Sequence, residues 1–234
     1  MTENLERLSA AWRTTRDDEA GHAYGNALEA SGQVEAAREV YEELIQAGYL
    51  IGYWDLAWLE RATGHAARSR ELLHSYLGLE DEPDEETALV SGVLGHWIWD
   101  ATHDADAEAF LIAGVDAYPS ARADLADLYR ASGRDEDAET VLREGVARDE
   151  VESFILLGNL LDETGRTREA ESFYVRGFEL GDAFCAYNLS LLLRREGRTG
   201  EADEWVRRGA ERGDEKAAAY CVAFVADPSE AKLD

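Results

Sequence analysis

Five histidines, two cysteines and several clusters of acids are the residues of this chain whose types could do chemistry. His96 and His103 stand seven apart on what reads as one helix, close to two turns, so their imidazoles could share a face. His22, His65 and His74 add no HExxH pattern and no four-residue pairing, the spacing that lets a helix present two imidazoles to one metal ion. We therefore expect solvent-facing histidines at helix ends and no metal. The acid run from Glu80 to Glu86 lacks the spaced oxygens and glycine of a calcium loop and reads as a solvated loop. Asp135, Glu136 and Asp137 could suggest an acid pair for proton transfer. They open a helix, however, where carboxylates suit the positive end of the macrodipole. No serine stands in GxSxG, no cysteine is set beside a histidine, and no glycine-rich loop with a P-loop lysine is present. The expectation is no catalytic residue and no cofactor.

Composition narrows the partners. The chain has 234 residues and a formal net charge of −27. Such a surface repels nucleic acid phosphates and anionic lipid heads and favours a basic partner. It also keeps an extended surface soluble. Apart from Lys216 and Lys232 the positive charge is all arginine, a usage that fits a GC-rich genome or a salt-adapted cell. Cys185 and Cys221 lie in apolar helical stretches and read as small buried hydrophobes in a reducing compartment. The start, MTENLERLSAAW, has no basic segment followed by an apolar run, and no stretch reaches the ~18 apolar residues of a span. The expected location is the cytoplasm, with no membrane contact.

The elements that must position any site come from an internal echo. GRTREAESFYVRGFELGD, Gly165 to Asp182, returns 32 residues later as GRTGEADEWVRRGAERGD, with ten of eighteen positions identical. A fixed period of this length marks a repeat array. Only three prolines interrupt the chain, and apolar residues recur at helical spacing. Paired helices are expected over 18–31 and 33–47, 50–63 and 65–78, 85–102 and 104–118, 119–132 and 134–148, 151–164 and 166–180, and 183–196 and 198–212. A helix over 2–16 precedes them, and half a hairpin over 215–226 follows. Gly32, Gly64, Gly133, Gly165 and Gly197 close the first helices, since glycine takes the left-handed conformation without a Cβ penalty. In four of the five, alanine follows five residues later (Ala37, Ala138, Ala170, Ala202), small enough for close helix packing. His103-Asp104 replaces the glycine turn in the third pair, and Pro119 is expected in the first turn of the next helix. The charges of the echo are expected to face water.

These residues resemble tetratricopeptide repeats, with a Sel1-like character towards the end carried by WVRRGAERGDEKAAAY, Trp205 to Tyr220. With each turn glycine in register, the small and large positions of that family fall on Tyr24, Gly25, Leu28, Ala37 and Tyr41. In later units they fall on Leu125, Ala126, Tyr129, Ala138 and Leu142, and on Phe154, Leu157, Gly158, Leu161, Ala170 and Tyr174. The period of 32 is shorter than the family's usual 34, so short loops are expected between units. The resemblance covers about residues 18–226 and implies an all-α, α-α superhelix of about six hairpins plus terminal helices. It divides the chain into a capping helix over 1–17, the solenoid over 18–226 with an irregular repeat near 84–118, and a loose tail over 227–234.

The resemblance also implies a concave face lined by the first helix of each hairpin. Its positions fall on His22, Asn26 and Glu29, on Trp54, Trp58 and Arg61, and on Trp97 and Asp100. Later units place Asp127 and Arg130, Asn159 and Asp162, and Tyr187 and Arg194 there. Trp, Tyr and Arg are the usual anchors of a protein or peptide partner, although the tryptophans could instead pack between helices. The carboxylate clamp of some members would use Asn159, Asn188 and Lys216. Ile155 and Tyr220 stand where two of its cations belong, so we do not adopt it.

The resulting expectation is a non-enzymatic scaffold that holds a basic or mixed-charge peptide or protein in an acidic groove. Trp54, Trp58, Trp97, Asp127, Asn159, Asp162, Tyr187 and Arg194 would make the contacts. The alternatives are a sensor of a small peptide signal and a self-assembling structural part. Tyr220, Val222, Phe224 and Val225 give the last helix little polar face, which suggests a homodimer through that helix.

Overall fold

The computed structural model describes residues 2–80 and 84–219. Among them stand thirteen helices and no strand. They are α1 (Thr2–Thr15), α2 (Asp18–Ala30), α3 (Val34–Gln46), α4 (Leu50–Ala62), α5 (Ala66–Leu77), α6 (Glu85–Thr102) and α7 (Ala107–Gly114). The remainder are α8 (Ala121–Ala131), α9 (Asp135–Ala147), α10 (Val151–Glu163), α11 (Thr167–Leu180), α12 (Phe184–Arg195) and α13 (Thr199–Glu211). Residues 215–219 begin a further helix. The chain forms two compact units, Met1–Ala121 and Arg122–Asp234, with the division at the start of α8. Each unit holds three helical hairpins, which makes the fold all-α and of the α-α solenoid class.

The hairpins form for local reasons. Asp17 caps α2 by accepting the Ala20 N–H at 2.8 Å. Asp84 and Thr87 exchange hydrogen bonds at the start of α6, a reciprocal cap. At each of the five glycine turns, the residue after the glycine donates its N–H to the carbonyl five residues back. Arg166 to Leu161 and Arg198 to Leu193 do so at 2.8 and 2.9 Å, with Gly165 and Gly197 at φ +79° and +80°. Five residues beyond those glycines, Ala37, Ser69, Ala138, Ala170 and Ala202 are fully buried where the paired helices cross.

The third hairpin departs from expectation. α7 spans eight residues instead of the whole of 104–118. Pro119 disfavours helical backbone at Tyr118, so the chain leaves the helix early and turns through 115–120. Pro119 therefore precedes α8 rather than entering its first turn. His103 closes α6 in the left-handed region at φ 51°. α6 and α7 then meet backbone to backbone: a Cβ on Gly114 would lie 2.2 Å from Gly92 Cα.

Each unit has its own core. In the first, Trp12, Leu28, Tyr41, Leu44, Leu56, Leu73, Tyr76, Leu94 and Trp97 form one buried cluster. In the second, Leu125, Leu142, Phe154, Leu157, Leu161, Tyr174, Phe178, Leu189 and Val206 are buried. Each such side chain contributes roughly 1.5–3 kcal/mol on burial, and no single hairpin could bury both of its faces alone. The charges of the echo do more than face water. Arg166 reaches Glu139 on α9 at 2.7 Å and Glu169 on α11 at 2.8 Å. Thirty-two residues on, Arg198 repeats both contacts, with Glu171 at 2.7 Å and Glu201 at 2.7 Å. One arginine per repeat thus ties the second helices of successive hairpins. Each arginine pulls its glutamates, Glu139 and Glu169 or Glu201, below the usual carboxylate range.

Candidate functional site

In the first unit, α2, α4 and α6 share a face. α4 reads LIGYWDLAWLERA, apolar on nearly every side, so it presents rings both inward and outward. Trp58 lies between Trp54 and Trp97, with ring centroids 5.8 and 5.0 Å away and planes at 67° and 80°. Edge-to-face packing of this kind holds all three rings in place. The rings differ in access. Trp58 is 42% exposed, Trp54 is half-buried and Trp97 is 2% exposed. Arg61 lies over Trp97 at 4.9 Å and donates to Asp100 at 3.0 Å. Trp97 therefore belongs to the core and braces Trp58 from beneath, instead of meeting a partner with its own ring.

On the α2 side of this face runs a chain of polar contacts. His22 Nδ1 is 2.7 Å from Asp55 Oδ2, and Asn26 Nδ2 is 3.0 Å from His22 Nε2. The Tyr41 hydroxyl is 2.9 Å from Asn26 Oδ1 and 2.6 Å from Glu29 Oε1. Asp55 is only 6% exposed, and desolvation raises its carboxyl pKa. Burial, and then Glu29, push the Tyr41 hydroxyl far up, so it keeps its proton. Our reading of the sequence missed Asp55. Its signal was there: a lone acid in the middle of the apolar run of α4.

In the second unit the corresponding helices are α8, α10 and α12. Tyr174 donates to Asn159 Oδ1 at 2.8 Å, the same fifteen-residue bond that Tyr41 makes to Asn26. Asn188 Nδ2 also donates to Asn159 Oδ1, at 2.8 Å. That oxygen holds two donors already, so the pair offers a ligand the Asn159 amide N–H groups and the Asn188 oxygen. The close approach behind this bond needs a glycine: a Cβ on Gly158 would lie 2.5 Å from the Tyr174 ring. Asp162 accepts from Arg195 at 2.6 Å. Arg194 pairs with Asp203, and Arg130 with Glu163. Asp127 is exposed. Tyr187 is buried, so like Trp97 it supports the face from within. Tyr220, Val222, Phe224 and Val225 lie outside the described residues, as do Cys221, the 81–83 loop and the 227–234 tail.

His96 and His103, expected to face solvent at helix ends, differ in exposure. His96 packs half-buried against Tyr118 at 5.6 Å, and exposed His103 packs on Trp99 at 4.7 Å. Among the described residues no group of three or more His, Cys, Asp or Glu is placed to hold a metal ion. Burial, then Asp182, push the Cys185 thiol well up, which suits a packing role. No helix among the described residues is long and apolar enough to cross a membrane.

Comparison with known proteins agrees with this geometry. The tetratricopeptide repeat family matches residues 121–150 and, in a second form, residues 183–208. No curated protein matches the chain. Among solved structures, c5321, a protective antigen of uropathogenic Escherichia coli with the SLR fold, is similar at TM-score 0.69 and 19% identity, over 99% of this chain and 54% of that one. The pilF protein of Pseudomonas aeruginosa is similar at TM-score 0.64 and 15% identity, over 82% and 90%. The C-terminal part of a TPR repeat-containing protein from Cytophaga hutchinsonii is similar at 0.59 and 14%, over 81% and 78%. Identities this low speak to the fold alone.

Proposed function

Since the chain is a tetratricopeptide/Sel1-like repeat protein, we propose that it is a non-enzymatic interaction scaffold whose first unit docks a basic peptide or protein segment on the face of α2, α4 and α6. Such repeats generally bind protein or peptide partners, and the finer claim rests on one observation. Trp58 is a large ring left exposed at the centre of that face while its two neighbours hold it rigid. A rigid, amphipathic ring loses little entropy on binding and anchors interfaces well. Charge supports a basic partner: the first unit carries seven arginines and no lysine against 24 acidic residues, a formal −17. Attraction of that kind speeds encounter more than it deepens affinity.

Affinity capture from a native lysate at two salt concentrations tests this reading. Wild type should retain basic proteins at low salt and release them at high salt, and the Trp54→Ala/Trp58→Ala variant should retain none. Equal retention by wild type and variant would overturn it. Self-assembly through Tyr220, Val222, Phe224 and Val225 remains a separate proposal. It calls for a dimer that is lost on deletion beyond Gly213.

A further inference from the structure

A cavity of about 340 Å³ opens between α5, α6 and α7 of the first unit, a volume in the range of small-molecule pockets. None of its lining residues lies on α2 or α4, so it is separate from the rings of Trp54 and Trp58. Alanines make the room: Ala88 on α6, and Ala109 and Ala113 on α7. Gly92 and Gly114, which hold the two helices backbone to backbone, are the chain neighbours of Ser91 and Ala113. Leu77 at the end of α5 and the Phe110 ring on α7 supply the large apolar walls. His74 packs edge to face on Phe110, with centroids 5.1 Å apart and planes at 85°, which fixes that ring.

One polar group of the lining is left unused by the fold. Ser91 lines the cavity and is only 8% exposed. The other buried serines each donate their hydroxyl hydrogen: Ser69 to the Ala66 carbonyl at 2.9 Å, Ser190 to the Tyr187 carbonyl at 2.6 Å, and Ser153 to Glu150 at 3.5 Å. The Ser91 hydroxyl has no hydrogen-bond partner among the described residues. A buried polar group without a partner is costly and calls for an explanation. Trapped water explains it poorly, since a buried water makes two to four hydrogen bonds. Thr87, the other hydroxyl of the lining, is already engaged twice: it accepts the Asp84 N–H at 2.7 Å and donates to the Asp84 carbonyl at 3.1 Å. Glu80 is the charged residue of the lining, exposed and without an ion pair among the described residues.

We infer that this cavity is a binding site for a small aromatic amine that carries a ring hydroxyl. Its ring packs against Phe110 and Leu77, in the space the alanines leave. Its hydroxyl pairs with Ser91, whose own hydroxyl both donates and accepts. Its ammonium meets Glu80 at the solvent edge. The formal −17 of the first unit attracts such a cation and repels an anion of the same shape. The site does not depend on a segment docking at Trp58.

Tyramine, titrated into the ¹⁵N-labelled full chain and followed by amide chemical shifts, tests the site. The shifts should saturate below about 5 mM, as a ligand of this size allows, and the largest should fall on Ala88, Ser91, Ala109, Phe110 and Ala113. Ala113→Phe fills the cavity from its exposed side and should abolish them. Shifts that do not saturate, or binding unchanged in Ala113→Phe, overturn the site. Trp58→Ala should bind tyramine as wild type does. Binding lost in Trp58→Ala would place the amine on the docking face and overturn this inference while leaving the docking reading intact.

Paired ligands then assign the two polar contacts. Ser91→Ala should weaken tyramine about three- to tenfold, the loss of one hydrogen bond, and leave phenethylamine, which lacks the hydroxyl, unchanged. Glu80→Gln should weaken tyramine about two- to fivefold, the loss of an exposed ion pair, and leave 4-ethylphenol, which lacks the amine, unchanged. Either variant acting equally on both members of its pair overturns the assignment of the ligand. Circular dichroism checks that each variant folds. Ala109→Leu replaces Ala113→Phe if that variant does not fold, and Ser91→Gly replaces Ser91→Ala.

Discussion

Trp58 and Trp97 pack edge to face with centroids 5.0 Å apart, yet 42% of one residue is open to solvent and only 2% of the other. Neighbouring rings of one chemical type thus do opposite jobs. Trp97→Ala should cost about 3–5 kcal/mol of stability, the cost of emptying an aromatic site in a core. Trp58→Ala should cost less than 1.5 kcal/mol and abolish partner capture. Urea unfolding of both variants, read beside a pull-down, checks the split. Equal destabilisation would return Trp58 to the core.

The bond from Tyr174 to Asn159 depends on the missing side chain at Gly158. Gly158→Ala forces a methyl to within 2.5 Å of the Tyr174 ring and should destabilise by about 1–3 kcal/mol through overpacking. Tyr174→Phe keeps the ring and loses one hydrogen bond, about 1 kcal/mol. Denaturant midpoints for the two variants should rank in that order.

Arg122 is 2% exposed and donates to Glu150 at 2.6 Å and to the Val141 carbonyl at 3.2 Å. Glu150→Ala removes the nearest counter-charge from a buried guanidinium and should cost about 1–3 kcal/mol. Arg122→Met removes the charge and keeps the volume, so it should cost less than Glu150→Ala. A thermal melt showing Arg122→Met as the weaker protein would contradict this account of the buried pair.

The repeated arginines set an acid limit. Glu139, Glu169 and Glu201 are held below their ordinary value of 4.5 by Arg166, Arg143 and Arg198. A depressed folded pKa means that the unfolded chain binds protons first. The stabilisation is complete above pH 4.5 and is lost as pH falls through the lower folded values. Acid titration followed by circular dichroism should therefore show unfolding at higher pH for Arg166→Ala and Arg198→Ala than for wild type. At pH 7 the same variants should show their full, small loss of stability as a lower denaturant midpoint, a loss that closes as pH falls below the folded values and that added salt shrinks.

The sequence by itself determined the repeat and most of the helices. A 3.6-residue apolar rhythm, a glycine at each turn and an alanine five residues on are local signals, and local backbone physics reads them directly. Helix bounds came within two residues of expectation wherever those signals stand. They failed at α7, where Pro119 and the Gly92–Gly114 contact shorten the helix and the turn glycine is absent.

Which groove-register residues are open and which are filled was decided by tertiary structure alone. Trp54, Trp58 and Trp97 are equivalent as letters. Their exposure depends on what the neighbouring helix places over each ring, and the contact between Trp58 and Trp97 spans 39 residues of sequence. Asp55 likewise gains its partner only where α2 brings His22 to it from 33 residues away. Periodicity along one helix fixes which face a residue is on. Only the packing of the next helix fixes whether that face meets water, a ring or a proton donor.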